Sequence, residues 1–116
     1  MEFNENNINE HPIEKIITAC KSMKNNRDLS SIIAHLVSET KELEEEVTKS
    51  INGETAGVDG VIGEAIDVIL CAVDLIYMKN PSISKEYVSF LVGQKLEKWS
   101  NEYSSKDYSI KEEVSV

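Results

Sequence analysis

Two acidic pairs, Glu39-x-x-Glu42 and Glu64-x-x-Asp67, carry the chemistry of this chain. Residues three apart on a helix share a face, so each pair presents two carboxylates to the same side. The second pair sits in the run from Val61 to Met78, which is otherwise almost wholly apolar. Burying an unpaired charge there costs several kcal/mol even after relaxation, which a cation offsets. Four hard oxygen donors from two helices suit Mg²⁺ or Mn²⁺, and Mg²⁺ sites commonly serve phosphate chemistry.

The elements that must position these acids are helical. The 116 residues include only two prolines and five glycines, and Leu, Ile, Glu and Lys are abundant. Pro12 suits the first turn of a short helix that buries Ile13, Ile16, Ile17 and Cys20. After a turn at residues 24–28, with Asp28 or Ser30 as N-cap, a second helix runs from about Leu29 to Lys49. Its apolar positions Leu29, Ile32, Ile33, Leu36, Leu43 and Val47 recur at three-four spacing. His35, Glu39, Glu42 and Glu46 follow one border of that face, and Glu44 to Glu46 read as solvated charge.

A glycine-bearing loop at residues 52–60 leads to a third helix, ending at Lys79 before Asn80-Pro81. At about 100° per residue, its Glu64, Asp67, Cys71 and Asp74 fall within about 80° of arc. The rest of that cylinder is apolar, so the helix must be covered on most sides, and a subunit interface is the expected cover. Ser82 or Ser84 caps a fourth helix reaching about Tyr103. On it Val88, Val92, Lys95 and Trp99 share a stripe, with Lys98 close by, so Lys95 is expected in an apolar seam where an anion would pair with it. These readings describe one helical domain over residues 1–104 and a polar tail over 105–116.

Composition narrows the function classes. With 21 acidic against 12 basic residues, the formal charge is −9. Such a chain makes a poor direct grip on a nucleic acid backbone, and an anionic substrate would need metal ions as a bridge. Cys20 and Cys71 are too far apart in sequence for a metal-spaced pair and suit a reducing cytoplasm. The polar, acidic first eleven residues do not read as a secretory signal, and the apolar run is broken by acids, so no membrane span is expected. Glu-x-x-His pairs of di-iron bundles are absent, as are a Ser/His/Asp set and a phosphate-cradling glycine loop.

The segments SETKELEEEV, GEAIDVILCAVDLI and KLEKW together resemble the MazG-like branch of the all-α nucleoside triphosphate pyrophosphohydrolases. They stand in that family's order, with residues 43–63 between the acidic pairs, and the likeness spans about Ile32 to Tyr103. Ser38 departs from the pattern, since many members carry a further Glu there. The resemblance implies an all-α four-helix bundle completed by oligomerisation, as a homo-oligomer, with a tetramer preferred over a dimer. It also implies Mg²⁺-dependent hydrolysis of nucleoside triphosphates, deoxynucleotides foremost, to monophosphate and pyrophosphate, in house-cleaning of the nucleotide pool. Glu39, Glu42, Glu64 and Asp67 would hold Mg²⁺, with Mn²⁺ able to substitute, and one of them would take the proton of the attacking water. Lys95 and Lys98 would steady phosphate oxygens, with Trp99 beside the substrate. Rival readings are a related dUTPase or phosphoribosyl-ATP pyrophosphohydrolase, and a helical interaction protein without catalysis.

Overall fold

The computed structural model describes residues 12–23 and 27–106, with side chains as far as residue 103. The expectations for residues 1–11, His11 included, and for the tail from residue 107 lie outside the described residues. Four helices form: α1 (Pro12–Ser22), α2 (Leu29–Ile51), α3 (Gly60–Lys79) and α4 (Lys85–Lys106). No strand occurs among the described residues, whose regular structure is all-helical. Nor, among them, is any helix long and apolar enough to cross a membrane. The chain divides into two compact units, one up to Ser82 and one from Ile83 onward. The first unit holds α1, α2 and α3; the second holds α4.

Local chemistry explains where each helix begins. Asp28 has extended backbone and accepts a hydrogen bond from the Ser31 N–H at 2.8 Å, while its own N–H donates to Ser31 Oγ at 3.1 Å. This reciprocal pair satisfies donors that a helix N-terminus leaves open, and the same bonds hold the Asp28 carboxyl below its ordinary pKa. Helix α3 starts at Gly60 with φ +67°, in the left-handed region where a side chain is strained. Ser84 caps α4 by accepting from the Tyr87 N–H at 3.1 Å. The fourth helix continues to Lys106, a few residues beyond the expected end near Tyr103.

In the first unit α3 is the hub, packed along α2 and also against α1. The core there consists of Ile17 and Cys20 from α1, Ile32 from α2, and Cys71 and Val73 from α3. It is a small core for the apolar content. Ile62, Ile66 and Ile69 on α3 remain exposed, with Ile62 at 81%. The heavily apolar third helix therefore keeps a stripe that the described residues of the first unit do not cover.

Candidate metal centre

Helix α2 supplies Glu39, and α3 supplies Glu64 and Asp67 one turn apart. One carboxylate oxygen from each lies within 4.8 Å of the other two, and all three residues are partly buried. Glu39 Oε1 accepts from His35 Nε2–H at 3.2 Å, one helical turn earlier. The other Glu39 oxygen, Oε2, and Glu64 Oε2 are both shielded from solvent without a hydrogen-bond partner. Two orphaned carboxylate oxygens in one acidic cluster form an electrostatically unfinished site, because each has lost water without gaining a donor.

Glu42 follows Glu39 by one turn but is exposed, and it is not among the three that converge. Its charge nonetheless reaches Glu64. The Glu64 pKa is raised to about 6, first by desolvation, then by the Glu42 charge, a hydrogen bond with Asp59, and the charges of Asp59 and Asp67. The predicted four-acid set thus becomes three converging carboxylates with a fourth at the rim. Asp59, just before α3, is a further acid that helical periodicity could not find. It stands in a loop, and its position at the helix start is the only signal it leaves in the sequence.

Two other acids differ from expectation. Glu46 does not share the solvated character of Glu44 and Glu45; it is buried at 6% exposure. The loop returning from α2 lies over it, so its Oε1 accepts the Gly57 N–H at 2.5 Å while Lys49 Nζ stands 3.7 Å from Oε2. Glu46 therefore ties the loop ahead of α3 to α2. Asp74, on the same stripe as Glu64 and Asp67, is instead ion-paired with Arg27 from the segment before α2. Arg27 read only as part of a turn in the sequence.

Lys95, Lys98 and Trp99 belong to the second unit, on α4, and all three are exposed. Of the apolar residues expected to share the stripe of Lys95, Val88 is buried while Val92 and Trp99 are exposed. Trp99 packs edge-on against Tyr103, with ring centroids 5.0 Å apart. Cys20 and Cys71 are buried free thiols. Burial and the neighbouring Asp74 raise Cys20 to about 11, so it is a protonated, unreactive group at neutral pH.

The donor set fits a hard divalent cation. Carboxylate oxygens are the ligands Mg²⁺ and Mn²⁺ favour, and the orphaned oxygens of Glu39 and Glu64 are the positions a cation would satisfy. Comparison with known protein families, with curated proteins and with solved structures finds no match to this chain.

Proposed function

We propose that this protein is a Mg²⁺-dependent nucleoside triphosphate pyrophosphohydrolase. The observation that carries the reading is the meeting of Glu39 from one helix with Glu64 and Asp67 from another, leaving two shielded oxygens without partners. The motif resemblance supports it independently of geometry. Bound Mg²⁺ would neutralise the triphosphate and polarise its α-phosphoryl group. Glu39, Glu64 and Asp67 would hold the metal, and Glu42 would join them from the rim.

In the reaction, a water oxygen bonds to the α-phosphorus as the bond to the α–β bridging oxygen breaks. Pyrophosphate leaves with that oxygen, and the water's proton passes to a carboxylate. Lys95 and Lys98 would bind phosphate oxygens as charge moves toward the leaving group, and Trp99 would border the substrate. Deoxynucleotides are the proposed substrates, and a homo-oligomer is the proposed assembly.

The test is release of monophosphate and pyrophosphate from a panel of NTPs and dNTPs, with Mg²⁺, with EDTA, and with Glu64→Gln. Product that requires both the metal and Glu64 is the expected result. No turnover on any nucleotide by folded, metal-bound protein would overturn the reading.

A further inference from the structure

Beside the acidic cluster, α1, α2 and α3 enclose a cavity of about 680 Å³, open on one side. That volume suits a small organic ligand. Its wall is mainly apolar, with Ile16 and Ala19 from α1, Ile32 from α2 and Leu70 from α3. The polar groups on that wall are Lys15, Ser31, His35 and the Arg27–Asp74 ion pair. One Asp74 oxygen is held by Arg27, while the other, Oδ1, is shielded and has no hydrogen-bond partner.

The cavity and the cluster are contiguous. His35 lines the cavity and donates to Glu39. Cys71 also lines it, one helical turn after Asp67. A ligand with phosphates at the acids would therefore direct its other end along α3 toward Asp74.

We propose that this cavity receives the base of the nucleotide, and that Asp74, oriented by Arg27, selects a base bearing an exocyclic amine. A carboxylate only accepts hydrogen bonds, so it needs a donor from the ligand. An amine such as that of cytosine offers two N–H groups clear of neighbouring carbonyls on one side. The single imide N–H of uracil is flanked by two carbonyl oxygens, which repel a carboxylate. The substrate class is then amino-bearing nucleotides, an assignment that rests on the pyrophosphohydrolase reading. Asp74 acts as a specificity-determining residue.

The test uses cytidine and uridine, which differ at this edge, titrated by NMR into the full chain in EDTA. No metal or turnover is required, so base binding is read separately from the reaction. Cytidine is expected to bind at least about tenfold more tightly, the size of one hydrogen bond to a charged group. Asp74→Asn should erase that preference, because an amide can also donate to the uracil carbonyl. Ala19→Phe, which fills the cavity from α1 and leaves the ion pair intact, should abolish binding of both nucleosides. Equal affinity for the two in the native protein would overturn the proposal, as would binding of neither or unchanged binding in folded Ala19→Phe. If pyrophosphate release still requires Mg²⁺ and Glu64, that failure belongs to the cavity alone. Base selection without turnover would instead leave the cavity standing and remove the enzyme.

Discussion

Glu64 is a carboxyl group whose ionisation the fold opposes. Its pKa is raised to about 6 from an ordinary 4.5, because burial and the three neighbouring carboxyl groups of Glu42, Asp59 and Asp67 oppose its charge. The folded state therefore binds more protons than the unfolded state between those values. By linkage, stability without metal falls as pH rises from about 4.5 to about 6 and levels off above. Thermal melts in EDTA at pH 5 and pH 7 should show the decline, and Glu64→Gln should flatten it. Divalent metal and proton compete for the same oxygens, so Mg²⁺ affinity should strengthen from pH 5 to pH 7. Calorimetric titration should also rank the acids, with Asp67→Asn weakening Mg²⁺ binding more than Glu42→Gln, because Glu42 is at the exposed rim. Equal losses would place Glu42 in the ligand set.

At the scale of elements, the site depends on how α3 is entered. Glu46 fastens Gly57 to α2, and the chain then turns through Gly60 at positive φ. Glu46→Ala should cost about 2 kcal/mol, the range of a hydrogen bond to a charged group, measured by urea unfolding. It should also weaken Mg²⁺ binding, since the loop it releases carries Asp59. A Cβ at Gly63 would lie 2.8 Å from the Cβ of Asp59, so Gly63→Ala must displace a residue that raises the Glu64 pKa. Ile32→Ala removes one of the few buried side chains of the first unit and should cost roughly 2–4 kcal/mol. Metal affinity in that variant, measured while it is still folded, should remain near native because Ile32 is not in the acidic cluster.

For the whole molecule, the dominant facts are a charge of −9 and an apolar stripe left open on α3. The charge makes any polyanionic substrate dependent on cations for approach. The stripe of Ile62, Ile66 and Ile69 repeats at helical spacing on one face, and water contact there is unfavourable over its whole length. Sedimentation velocity should find a homo-oligomer at tens of micromolar. The double variant Ile66→Lys/Ile69→Lys should return it to monomer, since each lysine would be desolvated without a partner. A native protein that sediments as a monomer would rule out self-association as the cover.

Helix number and type were legible because they follow from short-range rules: apolar residues at three-four spacing, few helix breakers, and capping side chains such as Asp28. The pairing of Glu39 with Glu64 and Asp67 was anticipated too, since carboxylates on an apolar helix require a partner wherever they are buried. Three features needed the folded chain. Glu46 looks like its exposed neighbours until the loop folds over it. Asp59 stands ahead of α3, outside the helical period, yet its carboxyl group acts on Glu64. Asp74 leaves the acidic stripe for Arg27, a residue 47 positions away in sequence. Periodicity reports which side of a helix a residue occupies, but the partner that meets that side comes from another segment. Burial and pKa depend on that partner, so they are properties of the tertiary structure.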